Sequence, residues 1–173
     1  MGLRDRLGRN EAPVLRFQMR QKLIAIGDDY WIENEAGQRA YKVDGKALRV
    51  RDTFIIEDTS GREVAKIKER MLRVRDSMEI EGAAGKATVR KALVGIRERF
   101  TIDVDGAPDL KAHGNIVDHE YEIERDGDTV AEVSKKWFRL RDTYGVEIDG
   151  DVDPVLILSI TVAIDSLSHD GPG

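Results

Sequence analysis

The chain has 173 residues, 28 Lys and Arg against 33 Asp and Glu, a formal charge of −5 and no cysteine. That length buries a hydrophobic core without covalent staples, so a disulfide scaffold and a Cys-ligated zinc module are both excluded. The acidic balance argues against nucleic-acid binding, which draws its affinity from clustered cations meeting phosphates.

The N-terminal segment, residues 1–13, is charged and lacks the apolar run of a secretory signal, and it reads as a flexible tail. Arg6 stands where a myristoylation pattern needs Ser or Thr. The longest uncharged apolar stretch, Pro154 to Ile164, falls short of the ~20 residues of a membrane-crossing helix. The expectation is therefore a cytoplasmic protein without a transmembrane span.

From there a repeat governs the chain. Lys46-Ala47-Leu48-Arg49-Val50-Arg51-Asp52-Thr53-Phe54, Arg70-Met71-Leu72-Arg73-Val74-Arg75-Asp76-Ser77-Met78 and Lys136-Trp137-Phe138-Arg139-Leu140-Arg141-Asp142-Thr143-Tyr144 share one pattern of basic, apolar, Arg, Asp and hydroxyl positions. Weaker copies run from Lys22 to Tyr30 and from Lys91 to Phe100. The equivalent acids Asp28, Asp52, Asp76, Glu98 and Asp142 are spaced by 24, 24, 22 and 44, so a degenerate sixth unit belongs near His119-Glu120-Tyr121. Alternation of apolar and polar residues, as in Leu48/Val50 against Arg49/Arg51, indicates strands with one wet face.

After each acid comes a second alternating run, then a turn signal such as Asp58-Thr59-Ser60-Gly61 or Asp126-Gly127, then an Ala-x-Ile/Val strand such as Ala65-Lys66-Ile67. Two strands per unit give about twelve, antiparallel because the connections are short. Such a sheet must stack as a sandwich or close into a barrel.

At the C-terminus, Asp153 followed by Pro154 reads as a helix cap with proline at the first helical position, and the helix is expected over about 154–169. At 1.5 Å per residue it spans roughly 24 Å, enough to fill a barrel. Its β-branched content leaves a fully buried strand as the competing reading.

Those repeated units, the Asp118-His119-Glu120-Tyr121-Glu122 segment, the run Val133-Ser134-Lys135-Lys136-Trp137-Phe138 read as a strand, and the closing Asp153 to His169 segment together resemble the LURP-one-related family, over about Phe17 to Asp170. The resemblance implies a mainly β fold similar to tubby C-terminal domains and phospholipid scramblases. That fold is a closed antiparallel barrel of about twelve strands around a central hydrophobic C-terminal α-helix, here a single domain over 14–170. It implies no reaction and brings no catalytic residues or cofactor.

The residues add little conventional chemistry. His113, His119 and His169 have no ligand-pair spacing on a shared strand or helix face, and no metal or cofactor is expected. Asp149, Asp151 and Asp153 imitate a calcium loop whose twelfth position is Ile160 instead of Glu. Gly82 to Thr88 imitates a phosphate loop with the glycine spacing two short, so it reads as a hairpin turn.

What stands out is a basic stripe: Arg49, Arg51, Arg73, Arg75, Arg139 and Arg141 at equivalent positions, with Trp137 as a further contact residue. Each Arg51-type residue precedes an acid, so the same pattern also reads as exposed ion pairs. The leading expectation is a non-enzymatic module that contacts anionic phospholipid headgroups or a membrane-associated protein. A protein interaction scaffold ranks second. An enzymatic or small-molecule barrel with a cleft lined by His113, Asp118 and His119 ranks third.

Overall fold

The computed structural model describes residues 13–20, 29–44, 53–70, 77–92, 98–137 and 143–169. Twelve strands follow one another: β1 (Leu15–Arg20), β2 (Tyr30–Asn34), β3 (Arg39–Asp44), β4 (Thr53–Asp58), β5 (Glu63–Glu69) and β6 (Ser77–Gly82) in the first half. β7 (Gly85–Ala92), β8 (Arg99–Val104), β9 (Leu110–Asn115), β10 (Glu120–Arg125), β11 (Asp128–Ser134) and β12 (Thr143–Ile148) complete the set. Every strand pairs antiparallel with its sequence neighbour, and β1 pairs with β12 from Leu15↔Ile148 to Arg20↔Thr143, closing the barrel. Closure leaves no free edge.

Period-two alternation builds the wall. Phe54 and Ile56, Ala65 and Ile67, and Phe100 and Ile102 face inward at 0–2 % exposure, while the residues between them are partly exposed. The run after each acid and the Ala-x-Ile run supply the two strands of a unit, and the degenerate sixth unit is β10 and β11. The alternation in Leu48–Arg51, Leu72–Arg75 and Phe138–Arg141 lies outside the described residues. So does the N-terminal tail up to residue 12.

The C-terminal segment is a helix, α1 (Pro154–His169), and it occupies the barrel interior. Asp153 Oδ1 accepts from Val155 N at 3.0 Å, the expected cap. Ile157, Leu158, Ile160, Val162, Ala163, Ile164 and Leu167 are at most 2 % exposed, and residues 157–167 are buried without interruption. A helix buried on every side needs a wall around it, which the barrel provides. Its hydroxyls turn back on their own backbone, Ser159 Oγ to Val155 O at 2.7 Å and Thr161 Oγ1 to Ile157 O at 2.9 Å.

One local reading is corrected and another is met. The run Val133 to Phe138, expected as one strand, leaves the sheet after Ser134, and Lys135–Trp137 forms a 3-10 turn. Glu120 draws the chain away: its carboxylate accepts from Ser134 Oγ at 2.8 Å and from Lys135 N at 3.1 Å, while Ser134 Oγ accepts from Lys136 N. The phosphate-loop look-alike is the β6–β7 hairpin, with Gly82 opposite Gly85.

Candidate functional site

An up-and-down barrel sends alternate connections to opposite rims. One rim receives 35–38, 59–62, 83–84, 105–109 and 126–127 and the link from β12 to α1, 149–153. Those segments carry one Arg against seven Asp and Glu, a net charge of −6. At the other rim, β1 joins β2, β3 joins β4, and so on around to β11 and β12, through 21–29, 45–52, 70–76, 93–98, 116–119 and 135–142. These carry twelve Lys and Arg against seven Asp and Glu, a net charge of +5. By sequence, then, the connections of the first rim are acidic and those of the second, here called the basic rim, carry the cations; of the latter the structure describes Arg70, Lys135 and Lys136 along with Asp29, Glu98 and Asp118.

Arg49, Arg51, Arg73, Arg75, Arg139 and Arg141 all belong to connections of the basic rim, in 45–52, 71–76 and 138–142, which lie outside the described residues. Trp137 ends the 3-10 turn and is half-buried, with the Arg16 guanidinium 5.5 Å from its ring centroid. Arg16 also donates through Nε to Glu147 at 2.9 Å and pairs with that nearly inaccessible carboxylate through Nη2, so Trp137 and Arg16 together cover the outer face of β12.

The four-residue turn Ile116–His119 brings two further features to this rim. Val117 is 70 % exposed, the most exposed large apolar side chain among the described residues. His119 adopts φ 53°, its amide donates to Ile116 O at 3.1 Å, and its side chain is buried inside the barrel. The preceding Gly114 makes the turn possible. It sits at φ 137°, and a Cβ there would come within 2.7 Å of Glu120 O and 2.8 Å of Tyr121 Cα.

Inside the rim, His119 meets a buried carboxylate. Asp165, on the last turns of α1 and 2 % exposed, accepts from the Tyr144 hydroxyl at 2.6 Å. His119 Nε2 lies 3.1 Å from Asp165 Oδ1, an electrostatic contact whose alignment is too poor for a hydrogen bond. The imidazole stacks on Tyr144 with centroids 4.3 Å apart.

Tyr30, the first residue of β2, and Tyr121, the second of β10, complete the group, and their hydroxyls are buried without an aligned partner among the described residues. Burial, reinforced by the Asp165 charge, holds the hydroxyls of Tyr30, Tyr121 and Tyr144 well above the usual phenol range. The cluster gathers three buried tyrosine hydroxyls and one imidazole around a single carboxyl group.

The cleft imagined between His113, Asp118 and His119 is not formed. His113 projects from the outer face of β9 and pairs with Glu124 at 2.8 Å, while His119 points inward. Asp118 secures the turn, accepting from Asn115 Nδ2 at 2.7 Å through Oδ2 and donating its amide to Asn115 Oδ1. Strand parity separates the two histidines, because one lies on the wet face of β9 and the other on a left-handed turn residue. Sequence reasoning passed over Asp165, whose signal was present: it is the first charge after eleven uncharged residues in a segment read as buried. Val117 gave no signal, since its exposure depends on the turn.

Residues 15–165 match the sequence profile of a family described as LURP-one-related. The crystal structure of a protein from Arabidopsis thaliana superposes with a TM-score of 0.63 at 14% identity, over 90% of this chain and 91% of that one. That likeness shows the fold alone. No curated protein matches the chain. Among the described residues no helix is long and apolar enough to cross a membrane.

Proposed function

Because the chain belongs to the LURP-one-related family, whose shared feature here is a barrel and not a catalytic constellation, we propose that it is a non-enzymatic binding module for anionic phospholipid headgroups. Contact is made through the basic rim. What supports this reading is the sequence of the connections between paired strands: counted from the sequence, those at one end of the barrel sum to +5 and those at the other to −6. A molecule so polarised orients itself against an anionic surface before touching it. Each basic residue near such a surface contributes about 1 kcal/mol. Val117 supports the same end of the barrel, as an exposed apolar side chain can enter the headgroup region. The six stripe arginines and Trp137 are the proposed contact residues.

Co-sedimentation with vesicles tests this, using phosphatidylcholine alone, with phosphatidylserine, and with phosphoinositide, at low and near-physiological salt. Binding is expected only to the anionic vesicles and should weaken with salt. Arg73→Ala with Arg75→Ala should reduce affinity about 30-fold, the equivalent of about 2 kcal/mol. Asp149→Ala with Asp151→Ala, on the acidic rim, should not reduce it. Absence of binding to any anionic vesicle, or equal loss from both double variants, would overturn the proposal.

A further inference from the structure

We propose that the outer face of β9 and β10 carries a binding site for a divalent first-row transition cation, held by His113, Glu122 and Glu124. The site lies on the barrel wall and is independent of the lipid reading. A histidine nitrogen and one carboxylate oxygen from each glutamate all lie within 4.8 Å of one another, and His113 Nε2 stands 2.8 Å from Glu124 Oε1. Bonds of about 2.0–2.2 Å from nitrogen and oxygen to such an ion require donors no more than about 4 Å apart, so a small rotation of side chains brings all three into range.

Strand pairing creates this convergence. His113 stands directly opposite Glu122 in the β9–β10 register, and Glu124 follows two residues later on the same face. Separated by nine and eleven residues in the chain, the three cannot be recognised as ligands by spacing. The backbone of two paired strands fixes their Cβ positions, and all three side chains are partly buried, which limits their alternative rotamers.

One further observation favours a cation. The Thr129 hydroxyl donates to Glu122 Oε2 at 3.2 Å, the kind of outer contact that orients a ligating carboxylate.

One imidazole and two carboxylates suit zinc, cobalt, nickel or manganese, whereas an all-oxygen ion such as magnesium would leave the imidazole unused. Three protein ligands leave at least one position for water. Lys111 stands opposite Glu124 in the register, and a like charge so placed disfavours a second cation, so the ion should exchange rather than be permanently held. β9 and β10 also flank the Ile116–His119 turn, so an occupied site ties together the two strands that present Val117 and His119.

The test uses full-length, tag-free protein stripped of metal and titrated with Zn²⁺ by calorimetry, with Co²⁺ visible absorption and the histidine proton resonances as second readouts. One ion per chain is expected, with the His113 resonances shifting and those of His119 unchanged. His113→Ala and Glu124→Gln should each weaken binding at least about tenfold. Both are outward-facing, so the metal-free variants should keep the native melting temperature. Lack of saturable uptake, uptake that survives His113→Ala, or Mg²⁺ bound as tightly as Zn²⁺ would overturn the proposal.

Discussion

Replacing Tyr144 by Phe isolates the interior hydrogen bond that ties the helix to the wall. The ring is fully buried and stacks on His119 at 4.3 Å, contacts that phenylalanine retains. What disappears is the hydroxyl donating to Asp165 at 2.6 Å. A hydrogen bond to a charged group contributes about 1.5–3 kcal/mol, and here the carboxylate left behind is itself buried. The expected loss is therefore about 2 kcal/mol. For a chain of this size that lowers the melting temperature by about 4–8 °C.

Asp165→Leu should cost more, about 3–5 kcal/mol, since it leaves the Tyr144 hydroxyl and His119 without their acidic partner. If the carboxylate is what makes the hydroxyl valuable, the double variant will be less destabilised than the sum of the singles, by at least about 1 kcal/mol. Reversible urea unfolding followed by circular dichroism measures all four proteins of the cycle. A Tyr144→Phe cost below about 0.5 kcal/mol, or a coupling energy near zero, would refute the reasoning.

Two other predictions concern the same rim. Gly114→Ala should destabilise by about 1–3 kcal/mol in urea unfolding, because it combines a left-handed φ with a Cβ pressed into the backbone of β10; a neutral effect would contradict the described approach of the strands. In an alkaline titration followed by ultraviolet absorbance, Tyr30, Tyr121 and Tyr144 should remain protonated above the usual phenol range until the barrel opens. Their folded pKa values are raised, so the associated stability is fully present below about pH 10 and is lost as pH climbs toward the folded values. Smooth ionisation of all four tyrosines near pH 10, with the far-ultraviolet dichroism unchanged, would contradict that burial.

Much of this architecture is local and so was legible in the sequence. Period-two alternation at Phe54/Ile56 and Ala65/Ile67 depends only on the pleat, and the Asp153 cap before Pro154 depends only on helix termini. The 44-residue step between Glu98 and Asp142 disclosed a missing unit, which β10 and β11 supply. Where a side chain overrode the backbone, sequence reading failed: nothing in the run from Val133 announces that Glu120, fifteen residues before Lys135, will capture its amide.

Chain order fixed the repeat, the strands and the helix, because alternation, turn residues and caps act within a few positions. Closure was left to tertiary structure, and with it came everything that joins distant residues. Antiparallel pairing of every strand with its neighbour sends alternate connections to opposite ends, and counted from the sequence those ends carry opposite charge although both signs are mixed along the chain. Threading α1 through the barrel carried Asp165 to His119 and Tyr144. Strand register set His113 opposite Glu122 on the outside while a left-handed turn sent His119 within. Those juxtapositions depend on which strand lies beside which and on which face each residue presents, and only the closed fold determines both.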